Sequence, residues 1–281
     1  MSPEVHPAAA VGFERAAGSY RRGRPDYPPA AIGVILEAAR LGSGRRVLDL
    51  AAGTGALTRP LLASGAWVVA VEPVAAMRSV LARAAPHGHP CAALAEALPF
   101  ADGAVDAVTV AQAFHWFDAE RARDEIHRVL SDRGVLALIW NVRDDRDPLQ
   151  AALTSLMEPY RRATPSHRGE GWRHAFDGAS GFDPPVRSTF PMEQRLSVEG
   201  LVDRVSSVSF VAALDGDERA AVERRVRSLV AGRGEIVLPY RTDVWITRRR
   251  RSRTVGGATA SPTATARARP APTPRRPVAR S

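Results

Sequence analysis

Residues 47–58, Val-Leu-Asp-Leu-Ala-Ala-Gly-Thr-Gly-Ala-Leu-Thr, hold the sharpest chemical signal in the chain. An apolar run carrying Asp49 enters a turn of small residues, Ala51, Gly53, Thr54 and Gly55, and a helical pattern follows. Small residues let a backbone approach a ligand closely, and the first turn of a helix offers free N–H donors. A tight strand-to-helix corner needs the same residues, and Asp49 could be a purely structural carboxylate, so the turn alone is weak. Glu72 raises its weight. It closes the next apolar run 17 residues after Gly55, where a doubly wound sheet places a carboxylate for a ribose. A third group, Phe114-His115-Trp116-Phe117, follows a later apolar run. Its aromatic faces suit a cation, and His115 is a candidate general base. The competing reading makes the phenylalanines core and His115 a satisfied hydrogen-bonding residue.

The elements that must position these residues alternate along the chain. Apolar runs at 46–50, 67–72, 91–95, 105–111 and 134–140 read as strands. Helical patterns at 30–40, 57–63, 74–84 and 119–130 separate them, and Gly42-Ser43-Gly44 stops the first. That alternation predicts βαβ units, hence an α/β, doubly wound, Rossmann-like and mostly parallel sheet. Beyond Asn141 the pattern loosens. Expected there are a helix over 147–161, a strand near 186–190, helices capped by Ser197 and Asp215, and a last strand over 235–247. Pro239 favours a bend or an edge position for that strand.

Composition narrows the chemistry. All 39 basic residues are arginine, and no lysine occurs. A pyridoxal Schiff base, a Walker A loop and a kinase phosphate clamp each require a lysine, so those classes are excluded. The single cysteine, Cys91, cannot form an internal disulfide, which fits a cytoplasmic location. No stretch approaches the roughly 18 apolar residues of a membrane span, and Met-Ser-Pro-Glu-Val-His lacks the basic-then-apolar layout expected of a secretory signal. The net charge of +9 is unevenly placed. Residues 248–281 hold ten arginines and no acid, so removing their +10 leaves residues 1–247 near −1. This Arg/Pro/Ala-rich tail is expected to be disordered and to attract polyanions without sequence preference, so no specific nucleic-acid partner is expected. His87, His89 and Cys91 alternate, but no fourth ligand accompanies them, and no metal site is expected.

The segments Leu48–Gly55, Val71-Glu72-Pro73 with Met77, Ala95–Phe100, Asp102–Asp106, Ala111–Phe117 and Glu125–Leu130 resemble successive motifs of class I S-adenosylmethionine-dependent methyltransferases. More narrowly they resemble the methyltransferase type 11 domain, well over 11–141 and in outline over 142–247. The resemblance implies a seven-stranded sheet, a helical leader or lid over 1–27, and a methyltransferase domain over 28–247. Within that domain it implies a cofactor core at about 40–141 and a partly helical substrate-cap insertion at about 142–200. It implies an enzyme that binds S-adenosyl-L-methionine and methylates a small-molecule acceptor at O, N or C, a carboxylate among the options. Asp49 and the loop with Ala51, Gly53, Thr54 and Gly55 would hold the amino-acid end of the cofactor, and Glu72 the ribose hydroxyls. Pro73 and Met77 would pack on adenine, Glu96 and Ala97 would border its edge, and Ala111 would lie near the methyl group. Many relatives have glycine where this chain has Ala51.

Acceptor binding is expected at the carboxyl ends of the strands. Tyr20 and Arg24 match a Tyr-x-x-x-Arg-Pro leader pattern, with Arg24 as a partner for a carboxylate or a plain anchor. Trp116 would form the floor beside a catalytic His115. Two rivals stand against this reading: a Rossmann-type nicotinamide oxidoreductase, and a cofactor-binding protein without transfer activity. The first is disfavoured because its Gly-x-Gly-x-x-Gly pattern would need a small third residue where Thr58 stands.

Overall fold

The computed structural model describes residues 23–161, 164–165, 171–178 and 181–250. The order is α1 (Pro29–Ala39), β1 (Arg46–Leu50), α2 (Thr58–Ala63), β2 (Trp67–Val71), α3 (Ala75–Ala84), β3 (Val105–Ala111), α4 (Ala119–Val129) and β4 (Leu130–Arg143). Then come α5 (Pro148–Met157), β5 (Val186–Leu196), α6 (Val198–Ser206), α7 (Ser209–Ala212), α8 (Gly216–Leu229) and β6 (Ile236–Arg248). The fold is α/β, as expected.

Six strands form one sheet in the order β2-β1-β3-β4-β6-β5. The pairs β1–β2, β1–β3 and β3–β4 are parallel, and β6 runs antiparallel to both β4 and β5. The expected seventh strand at 91–95 shrinks to one bridge, in which Cys91 pairs in parallel with Val71. Cys91 makes both of its backbone hydrogen bonds to β2, donating to Ala70 O and accepting from Glu72 N, and the chain then turns back at once through a Leu94–Ala97 bridge. The bridge still marks the outer side of β2, where a seventh strand would lie.

Alternate residues of each strand serve opposite faces. Leu48, Leu50, Val108, Val110, Leu136, Leu138 and Trp140 pack with Ala122, Ile126 and Val129 of α4. Val47, Ala107, Val135, Ala137 and Ile139 pack on the other face with Ala31, Ile32, Ile35 and Ala39 of α1. Covering both faces explains why these strands are nearly continuous apolar runs. A further cluster joins α5, α6 and α8 to Ile236, Leu238 and Tyr240 of β6.

Pro239 lies in an interior strand, against the edge position that sequence favoured. Its carbonyl accepts from Asp144 N at 3.3 Å and from Gln150 Nε2 at 2.9 Å, just past the end of β4. The missing N–H therefore faces the side where β4 has already stopped, and no ladder bond is lost. Ser197 and Asp215 cap α6 and α8 through Gly200 N and Glu218 N, as expected. The insertion is narrower than 142–200, because β5 belongs to the sheet. The basic segment also begins later. Arg248 ends β6 and donates to Ala38 O at 2.7 Å, while Arg249 N and Arg250 N reach Gly134 O and Gly181 O. Residues 1–22, with Tyr20 and most of the leader, and residues 251–281 lie outside the described residues.

Candidate functional site

β1 delivers the chain into the small-residue turn, and the backbone there explains the composition. Ala51, Gly53 and Gly55 all have positive φ, at 50°, 57° and 84°. Glycine adopts this region freely, whereas alanine is strained there by about 1 kcal/mol or more. A Cβ on Gly55 would sit 2.9 Å from Leu81 Cδ1, so the turn is pressed onto α3. A Cβ on Gly53 would meet only Ala51 O, at 3.9 Å, which leaves the bare backbone approachable from that side.

Asp49 sits beneath this turn, fully buried. Thr58 Oγ1 donates to its Oδ2 at 2.6 Å and Thr109 Oγ1 to its Oδ1 at 2.8 Å. The carboxylate thus ties β1 to the start of α2 and to β3, where Thr109 is its register partner. Burial pushes its pKa up to about 6, and the two hydroxyl hydrogen bonds hold it back from rising further. Both oxygens face protein hydroxyls, and no solvent-facing edge is left to grip a ligand.

Glu72 follows β2 and is 5% exposed. Its Oε2 accepts from Gly53 N at 2.9 Å and its Oε1 from Val74 N at 2.8 Å. Burial raises its pKa, opposed by those two backbone donors and by Arg78. Each oxygen has a further lone pair beyond the bond it accepts. Arg78, which the sequence reading passed over, donates to the Glu72 and Pro73 carbonyls at 2.8 and 3.0 Å and fixes the bend after β2. Its place one turn after Pro73 on α3 was the only available signal. Pro73 is half-buried at this bend. Met77 is 2% exposed and packed against Val74, so it presents almost no surface for a ring.

Glu96 accepts from Asp118 N at 2.9 Å, and Ala97 beside it is exposed. Arg128 holds this loop by donating to Leu98 O, Phe100 O and the Glu125 carboxylate. Thr54 is buried in the turn, and Ala111 is half-buried at the end of β3. The next residue, Gln112, has φ 59°, a second non-glycine residue in the left-handed region at this end of the sheet. Such strain concentrates at functional sites.

The aromatic group divides. Phe114 is fully buried among Phe117, Trp172 and Phe176, whereas His115 and Trp116 are half-buried with ring centroids 5.4 Å apart. Trp140 Nε1 donates to His115 Nδ1 at 3.4 Å. A neutral ring accepting at Nδ1 carries its proton on Nε2, so general-base action through Nε2 would need the other tautomer.

Arg24 donates to Ser207 O, just beyond the end of α6, at 3.1 Å, which favours its reading as an anchor. The described part of the leader crosses the same end of the sheet. Asn141 Nδ2 donates to Asp26 O at 3.1 Å, and Gln194 Nε2 to Gly23 O at 3.0 Å. On the α4 face a cleft of about 580 Å³ opens among Trp140, Trp172, Trp245, Arg187, Arg241 and Asp243. Among the described residues no three His, Cys, Asp or Glu side chains cluster to hold a metal ion, and His89 stacks on Trp67 at 4.2 Å. No described helix is long and apolar enough to cross a membrane.

The site therefore gathers the turn after β1, Glu72 after β2 and the loop after β3 at one end of the sheet, with residues 23–26 crossing beside β4. The methyltransferase-domain family model matches residues 48–138. An uncharacterised methyltransferase of Mycobacterium tuberculosis is 38% identical over 238 residues, spanning 83% of this chain and 93% of that protein. A methyltransferase-like protein of Schizosaccharomyces pombe is 33% identical over 237 residues, spanning 82% and 92%. A solved structure from Anaeromyxobacter dehalogenans, described as a type II methyltransferase, shares the fold with a TM-score of 0.55 at 23% identity, over 80% of this chain and 96% of that one. With relatives of this identity matched over more than nine-tenths of their length, the chain belongs to the methyltransferase family.

Proposed function

We propose that this methyltransferase uses S-adenosyl-L-methionine and transfers its methyl group to a small-molecule acceptor. The observation that carries the reading is Glu72, a buried carboxylate held over the turn by Gly53 N–H and Val74 N–H. Its two oxygens are pinned at fixed positions with capacity to accept a vicinal diol, and the backbone at Gly53 is bare beside them. A ribose fits that donor and acceptor set. The resemblance in sequence motifs and the family relatives support the same cofactor.

S-adenosylmethionine, when bound, supplies a methyl group already activated on a sulfonium. The protein's task is then placement and exclusion of water. Glu72 holds the ribose, and the turn at 51–55 meets the amino-acid end through its backbone. Asp49, buried and doubly hydrogen-bonded, shapes that turn from below. Ala111 and Gln112 close β3 toward the reacting centre. His115, fixed by Trp140, presents a donor to the acceptor from Nε2, and Trp116 lies beside it. A carboxylate acceptor needs no base, so the tautomer set by Trp140 is compatible with transfer.

The test is calorimetry with S-adenosylhomocysteine and with NAD, followed by an acceptor screen for product formation. S-adenosylhomocysteine should bind at micromolar levels and NAD far more weakly. Glu72→Ala should weaken binding by about 1.5–3 kcal/mol, the range for hydrogen bonds to a charged group. Equal affinity of wild type and variant would sink the ribose assignment. Binding without turnover over a broad acceptor panel would favour a cofactor-binding protein instead.

A further inference from the structure

The cleft on the α4 face has no part in the cofactor assignment, and three tryptophans meet at it. Trp140 of β4, Trp245 of β6 and Trp172 of the 171–176 segment line a space of about 580 Å³. The Trp172 ring centre lies 4.8 Å from that of Trp140 and 5.5 Å from that of Trp245. Paired residues on neighbouring strands share one face of a sheet. The register pairs Trp140–Asp243, Val142–Arg241 and Arg187–Trp245 therefore put these side chains together on one side of β4, β6 and β5.

The charged groups on the cleft floor satisfy one another. Asp243 is buried, and its carboxylate accepts from Thr189 Oγ1 at 3.1 Å, from Arg187 Nη2 at 2.6 Å, and from Arg241 Nε and Nη2 at 3.0 and 3.2 Å. These donors fill its lone pairs, so the carboxylate has nothing left for a cationic ligand. The same bonds fix two long side chains, and a fixed guanidinium is a flat, weakly hydrated plate that stacks on rings. The protein already makes that contact here. Arg173 and Arg187 lie 4.7 and 5.5 Å from the centre of the Trp245 ring. Indoles and guanidinium planes together favour a ligand with a π face of its own, and the volume suits a small molecule.

Sheet order says what that ligand is. In the order β2-β1-β3-β4-β6-β5, the ribose, the small-residue turn and Ala111 take the first three strands, and the cleft takes the other three. The two regions meet at Trp140. Its neighbour Ile139 is the register partner of Ala111, and its Nε1 donates to His115 Nδ1 at 3.4 Å. From β4 to β5 is roughly 10 Å, the length of a ring system of about two rings. We propose that this cleft holds the methyl acceptor and that the acceptor is a planar aromatic compound, its ring set against the indoles and the Arg187 and Arg241 guanidiniums. The assignment rests on the methyltransferase reading and adds the substrate class to it.

The experiment is calorimetry on the full chain saturated with S-adenosylhomocysteine, so that the adenine site is filled. It compares 2-naphthol and 4-hydroxybiphenyl with their saturated counterparts, 2-decalol and 4-cyclohexylcyclohexanol. At least one aromatic compound should bind, with its saturated counterpart at least tenfold weaker. Trp172→Leu should weaken that compound at least tenfold while S-adenosylhomocysteine affinity stays within threefold. Arg187→Gln, at a side chain about a third exposed, should weaken it at least threefold and serves if the buried substitution fails to fold. Absence of binding by both aromatic compounds, equal binding of the saturated ones, or variants that bind as wild type does would overturn the proposal. So would an aromatic compound that binds the free chain and is displaced by S-adenosylhomocysteine, since it would then lie in the cofactor site. A wild-type chain that binds no S-adenosylhomocysteine would overturn the methyltransferase reading itself, so the two failures are distinct.

Discussion

Asp49→Asn removes one buried charge while keeping the shape of the side chain. The wild-type carboxyl titrates at about 6 in the folded protein, against an ordinary value of 3.8, because burial outweighs the bonds from Thr58 and Thr109. A shift of about two units corresponds to about 3 kcal/mol. The folded state binds this proton more tightly than the unfolded chain, so stability falls as pH rises from about 4 through about 6. The asparagine variant has no such titration. Its stability relative to wild type should therefore improve by about 2.4 kcal/mol between pH 4 and pH 7, the rest of the shift falling below pH 4. A constant offset remains, because the amide turns a donor toward one threonine. Thr109 can absorb it, since its hydroxyl also lies 3.4 Å from Leu48 O and can donate there while accepting from the amide. Urea denaturation of both proteins at pH 4, 5, 6 and 7 measures the difference free of other titrating groups. Parallel stability curves would show that Asp49 is not held in a desolvated, proton-favouring site.

Ala51→Gly should relieve the positive φ of 50°. It should stabilise the fold by up to about 1 kcal/mol after the entropy of glycine is counted, and a lowered melting temperature would contradict the strain argument. Gly55→Ala meets both φ 84° and the 2.9 Å approach of Leu81 Cδ1, so denaturation should report a loss of about 2 kcal/mol; a neutral result would mean the turn is not pressed onto α3. A chain ending at residue 251 should keep the wild-type melting temperature, whereas one ending at residue 247 should melt several degrees lower, because Arg248 and Arg249 bond to Ala38 and Gly134. Equal melting of the two truncations would place the fold's end earlier than the hydrogen bonds do. His115→Ala should cut turnover at least tenfold with melting within a few degrees of wild type; near-normal turnover with the true acceptor would remove His115 from the reaction.

The alternation of short apolar runs with helical periods was enough to give an α/β fold, because strands covered on both faces leave no room for polar residues. β1 and β3 fall at the expected residues, and the caps at Ser197 and Asp215 follow from local hydrogen-bonding chemistry that any isolated segment would share. The turn after β1 was legible because glycines, as at Gly53 and Gly55, reach positive φ without steric cost. Tertiary structure decided the rest. Whether 91–95 makes a strand depended on how far it could pair with β2, and the turn back at Leu94–Ala97 limited it to one residue. Pro239 could sit inside the sheet only because β4 ends beside it. The roles open to Asp49 depended on Thr109, 60 positions away, filling one of its oxygens. The meeting of Trp140 from β4, Arg187 from β5 and Asp243 from β6 has no local signal at all. Sequence spacing encodes contacts within a turn or a strand, whereas the packing of distant elements sets which charges share a buried volume and what they can hold there.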